Sequence, residues 1–344
     1  MFKSDTVFVI GAGASQEFGL PVGSVLMDTI KTNCDFNYQR GTLKSGCVEI
    51  FRHYEKIYDT YDDDQVAEFN KRLQASHQIR DGIESADSID EYIFRYSENP
   101  IIAEVGKLQI AYAISLAESD CMLSAKKGFG ENSIDSVNHT WIWAFMKALI
   151  NGVKASEVEN IGRTITIICF NYDRCIEHYL EFALMRSFHG MNREEARGIV
   201  SSIKIIHPYG SIGDLATFPF GCEDRFARMA ENVTTWSETI RDPETVSDMA
   251  RAIRYARRIV FMGFAFANQN MQLMSANPKE KNYNGPRVYS TGYGLRKETE
   301  ESLSLNINAL YSDGLVESQL QNIHFQYGEK CKEFFDIHRL NLVQ

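Results

Sequence analysis

The residues that could do chemistry stand where short apolar runs end. The first run, Thr6–Ile10, stops at Gly11, continues as Gly-Ala-Gly-Ala-Ser, and reaches a Gly-Leu-Pro turn at residues 19–21. A strand that feeds a glycine turn and then a helix N-terminus can grip phosphates. Small residues let the backbone approach the ligand, and the helix dipole favours its negative charge. Gly11, Ala12, Gly13, Ser15 and Pro21 are therefore candidate phosphate-side residues. The same glycines also suit plain packing of a strand-turn-helix. A Gly-x-Gly-x-x-Gly fingerprint fails at Gln16. The acidic partner that such a fingerprint wants about 20 positions on would fall at residues 28–35, inside a helical pattern.

Three further runs end in polar or small residues. Residues 164–169 lead into Phe170-Asn171-Tyr172-Asp173. An amide at a strand's carboxyl end can orient a hydroxyl or a water, and a carboxylate can accept from a sugar. Asp173 taken alone also reads as a cap for the helix that follows. Residues 203–206 lead into His207-Pro208-Tyr209-Gly210-Ser211, which places a histidine for proton transfer near neutral pH. A hydrogen-bonded structural histidine is the other reading. Residues 259–262 lead into Gly263-Phe264-Ala265-Phe266, and a fifth run, 288–291, closes on Thr291.

These positions need strands to deliver them. The runs at 6–10, 164–169, 203–206, 259–262 and 288–291, with a weaker one at 323–327, are short, apolar and mostly separated by helical stretches. That is the pattern of a parallel sheet covered on both faces. The fold class is α/β, a Rossmann-like parallel sheet with helices on both faces and a large helical insertion. Helical patterning fills residues 47–61, 65–78, 89–96, 101–123 and 140–153, the last nearly all apolar apart from Lys147. Residues 1–31 and 160–344 are read as the catalytic domain, and 32–159 as a helical insertion. The acidic cluster at residues 62–64 reads as a solvated loop or a helix start. Arg251, Arg254, Arg257 and Arg258 gather on one side of a helix, as a solvated face or a basic contact surface.

Bulk properties narrow the function classes. With 344 residues, 44% of them hydrophobic, the chain can bury a sizeable core. Its net charge of -10 argues against nucleic-acid binding by phosphate neutralisation. No apolar run approaches the roughly 20 residues of a membrane span, and no signal segment is expected. The seven cysteines form no CxxC pair, so neither a zinc site nor a disulfide framework is expected. A reducing cytoplasm fits them.

Taken together, these pieces resemble the sirtuin-like superfamily, whose members cleave the bond between nicotinamide and ribose in NAD. GAGASQEFGLP is similar to the family's first nucleotide motif, with Gly11, Ala12, Gly13, Ser15, Gly19 and Pro21 on its positions. FNYD resembles the asparagine-bearing motif, at Asn171, and HPYGS resembles the histidine-glycine-serine motif with two residues inserted, at His207. The SIDEY stretch at residues 88–92, and GFAF after its strand, are similar to the bacterial branch found in anti-phage defence. The resemblance covers roughly residues 1–30 and 160–344. Two features depart from the deacylases of the superfamily. Val22, Gly23 and Ser24 replace an acidic-aromatic-arginine triplet, and the four-cysteine zinc module has no ligands here.

The resemblance implies an NAD+ hydrolase with NAD as substrate, no metal, and nicotinamide and ADP-ribose as products. Asn171 would fix a ribose hydroxyl and the attacking water, with His207 as general base. Gly11, Ala12, Gly13 and Ser15 would hold the diphosphate beside Pro21. Gly263 and Phe264 would border the adenosine half, with Thr291 at the next strand end. Asp173 would reach the nicotinamide or its ribose. The alternatives are NAD-dependent protein deacylation or ADP-ribosyl transfer, and an inactive NAD-sensing scaffold. Because an ungated hydrolase would drain a cell of NAD, a homo-oligomer, or control by a separate regulatory ATPase subunit, is expected.

Overall fold

In the computed structural model, residues 1–39, 42–59, 61–275, 285–311 and 321–344 are described. Strands β1 (Thr6–Ile10), β4 (Ile165–Cys169), β5 (Lys204–Ile206), β6 (Arg258–Met262), β7 (Arg287–Gly292) and β8 (Ile323–Tyr327) form one six-stranded sheet. Their order is β5-β4-β1-β6-β7-β8, and every neighbouring pair is parallel. Counted along the sheet, this is the 3-2-1-4-5-6 order of a Rossmann-like fold, with the chain reversing direction of growth beside β1.

Successive residues of β1 feed opposite sides of the sheet, as the pleat requires. Val7 and Val9 join one core cluster, Phe8 and Ile10 the other. A strand buried on both faces must be apolar throughout, so its five residues read as a continuous run. The short hairpin of β2 (Asn37–Gln39) and β3 (Thr42–Ser45) was not expected. Its residues are polar and largely exposed, which leaves no alternating apolar signal to read.

Helices α1 (Ala12–Ser15) and α2 (Gly23–Asn33) follow β1. Residues 32–159 then supply α3 (Val48–Ile57), α4 (Asp63–Gly82), α5 (Ile89–Arg95), α6 (Pro100–Asp120) and α7 (Trp141–Ile150). Asp62 caps α4 by accepting the N–H groups of Asp64 and Gln65, so the acidic cluster is a helix start. Helices α3 to α6 build one core with Val7, Val9, Ile168 and Ile259. Helix α7 instead packs on the opposite face of the sheet with Phe8, Ile10 and Met262, against α8 (Cys175–Ser187) and the C-terminal helix Cys331–Leu342. The segment thus covers both faces.

The helical run Pro100–Lys127 does have the length and mean apolarity of a membrane span, unlike the sequence expectation. Its Ile102, Val105, Leu108, Ile110 and Ile114 are buried inside the core. Further along, α9 (Arg193–Ser202) precedes β5, and α10 (Phe226–Met229), α11 (Trp236–Ile240) and α12 (Pro243–Tyr255) precede β6. Helix α12 ends at Tyr255 and Arg258 already belongs to β6, so the four arginines do not share one helix face. Arg251 pairs with Asp248, and Arg257 reaches Asp5 at 3.4 Å.

Candidate functional site

The carboxyl ends of β1, β4, β6 and β7 open on a cavity of about 600 Å³. Its floor is made by two glycine turns in close contact. A Cβ on Gly11 would lie 2.5 Å from Gly263 O, and one on Gly13 would lie 2.9 Å from Gly263 Cα. Gly263 has φ +58°, and a Cβ there would come within 2.0 Å of Ala14 N. Only glycine allows this approach at all three positions. Hydrogen bonds lock it: Gly11 N–H donates to Met262 O and Gly13 N–H to Gly263 O, each at 3.0 Å. Thr291 adds a clamp from the next strand, its Oγ1 accepting the Gly263 N–H at 2.8 Å. The glycines are thus engaged in packing, and two of the N–H groups expected to meet phosphate are already used. Gly11, Ala12, Gly13, Pro21, Gly263, Phe264 and Thr291 all still line the cavity.

Asn171, delivered by the end of β4, is 6% exposed and lines the same cavity. Its Nδ2 donates to Ser15 Oγ (2.9 Å) and to Gly11 O (3.2 Å). A carbonyl can only accept, so the amide's orientation is fixed. Asn171 Oδ1 is buried with no protein partner. A buried acceptor left open in this way is costly unless something else supplies a donor. Ser15 does not line the cavity. It holds Asn171 and hydrogen-bonds Asp173, a positioning role in place of the expected phosphate contact. Asp173 does line the cavity, and its Oδ1 also accepts the Cys175 N–H (3.1 Å), so it serves the start of α8 as well. Burial raises its pKa against the hydrogen bonds from Ser15 and Cys175.

His207 requires a correction. It does not line the cavity, and both ring nitrogens face acceptors: Nε2 meets Glu177 Oε1 at 2.7 Å and Nδ1 meets Asn171 O at 3.2 Å. Both nitrogens must therefore donate, which makes the ring an imidazolium with no lone pair to take a proton. Burial alone would lower its pKa. The neighbouring Cys169 and Glu177 outweigh burial and raise it well above the ordinary histidine value. His207 braces the backbone at Asn171 and does not offer a base.

The sequence reading passed over several lining residues. Tyr172 and Tyr209 stand inside the two motifs singled out for Asn171 and His207, and Tyr209 donates to Asn270 Oδ1 at 2.7 Å. Asp90 and Ser88 come from the start of α5, within the SIDEY stretch. The Tyr172 hydroxyl donates to Asp90 Oδ1. Lys330, just before the C-terminal helix, lines the wall and lies 5.5 Å from the centre of the Tyr293 ring. Phe170 and Phe264, 5.4 Å apart between centroids with their planes tilted by 49°, add an aromatic wall. Glu17 bridges two helix starts, its oxygens accepting from Trp141 N (3.0 Å) and Lys332 N (2.8 Å).

The site thus combines an apolar wall suited to a flat ring, a fixed amide with an open acceptor, and several carboxyl groups. Such a cavity, where strand order reverses, is where this architecture binds dinucleotides. Comparison with protein-family models, curated proteins and solved structures returned no match.

Proposed function

We propose that this chain is a sirtuin-like NAD+ hydrolase that cuts the nicotinamide–ribose bond, giving nicotinamide and ADP-ribose, and that it acts as an NAD-depleting effector in anti-phage defence. The observation that carries this reading is Asn171, whose Nδ2 is held by Ser15 and Gly11 while its buried Oδ1 stays open beside the strand-order reversal. A ribose hydroxyl is the donor that this acceptor fits. When the bond breaks, its electron pair leaves with nicotinamide and positive charge develops on the ribose ring. The carboxyl groups of Asp173 and Asp90 in the same cavity favour that charge. Lys330 is a cation available to the diphosphate.

Purified protein incubated with NAD tests the reading. Free nicotinamide and ADP-ribose in equal amounts are expected. ADP-ribose or an acyl group moved between NAD and a protein would favour transferase or deacylase chemistry. Binding without turnover in any assembled state would leave an NAD-sensing scaffold. We propose that activity is gated by self-assembly or by a separate subunit such as an ATPase. Light scattering on the purified chain, alone and with candidate partners, checks this, and a constitutively active monomer overturns it.

A further inference from the structure

Hydrolysis needs a group to receive the proton of the attacking water, and the imidazolium of His207 cannot do so. The cavity holds another candidate, contributed by the helical segment. Asp90 lies in the first turn of α5 and is carried to the ends of β4 and β5. Tyr172 donates to its Oδ1, and among the described residues no side chain donates to Oδ2. Tyr209, from the end of β5, lines the same region and is itself tied to Asn270. The carboxylate is therefore oriented by the Tyr172 hydroxyl and by its own backbone N–H, with no side-chain donor on Oδ2, which can meet a water.

We propose that Asp90 is the catalytic carboxylate that takes the proton from the water attacking the anomeric carbon. This rests on the hydrolase reading. The C1′–N bond breaks with its electron pair going to nicotinamide, which leaves neutral. The water oxygen bonds to C1′, and its proton passes to Asp90 and then to solvent. The balance is NAD+ plus water giving ADP-ribose, nicotinamide and one proton, with no change in oxidation state.

The surroundings suit the role. Burial pushes the Asp90 carboxyl up to about 6, while the Tyr172 hydrogen bond pulls the other way. A base is most useful when its pKa lies near the working pH. Tyr172 and Tyr209 are both raised by burial, with Asp90 adding to each, so they remain hydroxyl donors. Of the charged groups on the neighbouring elements, Glu84 pairs with Lys31, Glu91 with Arg95, Glu104 with Arg72, Lys107 with Glu238 and Glu118 with Arg174. Asp87, Asp173 and Lys330 line the same cavity as Asp90.

Asp90→Asn, with Tyr172→Phe as a second variant, tests the assignment through steady-state kinetics across pH and a separate measurement of ADP-ribose binding. The wild-type kcat should fall as the pH drops through about 6, where Asp90 becomes protonated. Asp90→Asn should lower kcat by about 10²–10⁴-fold, keep ADP-ribose affinity, and lose that acid limb. Tyr172→Phe removes the bond that lowers the Asp90 pKa, so its acid limb should move to higher pH. An Asp90→Asn enzyme with wild-type kcat, or one that loses ADP-ribose affinity in step with kcat, overturns the proposal. A wild-type protein with no NAD turnover in any assembled state overturns the hydrolase reading itself, a result distinguishable from either.

Discussion

Asn171 and His207 lie on neighbouring strand ends, yet their surroundings divide their roles. Asn171 keeps an open buried acceptor, so Asn171→Ala should lower NAD turnover by about 10²–10³-fold, as the loss of one preorganised polar group typically does. Steady-state kinetics beside a circular-dichroism check of folding would measure it. His207 acts through charge. Its folded pKa is raised, so its contribution to stability is fully present below the unfolded value of about 6.5 and fades as pH climbs through the folded value. Glu177 is lowered: burial would raise it, but the His207 charge and hydrogen bond prevail. Its contribution is present above about 4.3 and fades as pH falls through the folded value. Both act together between those unfolded values, at pH of roughly 4.3–6.5. His207→Gln should therefore destabilise the protein most in that window and least at strongly alkaline pH, by urea unfolding at a series of pH values.

Among elements, α6 and the start of α8 are joined by a buried ion pair. Arg174, 2% exposed, donates through its backbone N and Nε to Glu118 Oε1 (3.0 and 3.1 Å), and through Nη2 to Oε2 (2.5 Å). The same guanidinium satisfies the carbonyls of Gly213 and Phe218, and Glu118 also accepts from Gly221 N. The pair links the helical segment to the turn that carries Asn171 and Asp173. Glu118→Ala would strand a buried cation, at a cost of about 3–5 kcal/mol in denaturant unfolding. A loss under about 1 kcal/mol would mean that the turn relaxes to reach water.

At the scale of the molecule, the cavity is assembled from the sheet, the helical segment and the residues before the C-terminal helix. A ligand seated there bridges all three and should stabilise the whole fold. ADP-ribose at 100 times its Kd is expected to add about 2.7 kcal/mol to unfolding. Thermal unfolding with and without ADP-ribose checks this, and an unmoved transition at saturating concentration would speak against the cavity as the nucleotide site.

The sheet was legible in the sequence because a parallel strand buried on both faces must be apolar along its whole length. The central strands were visible for that reason, whereas the edge strands β5 and β8, with Lys204, His324 and Gln326 among their residues, gave shorter or weaker runs. Asn171 was legible because strand ends are where this architecture presents ligand-binding groups, and any polar residue there is conspicuous. Asp90 and Lys330 were not, because each is brought in by an element whose place in space no local pattern encodes, whereas Tyr209 stood in the motif at the end of β5 behind the more conspicuous His207. His207 shows the other limit. Its position at a strand end followed from the chain, but its charge depends on Glu177, thirty residues away in sequence and 2.7 Å away in space. Residue type and spacing determined the sheet, the turns and one fixed amide. Only the tertiary contacts decided which ionisable group faces the cavity, since protonation depends on burial and on partners that the fold alone brings together.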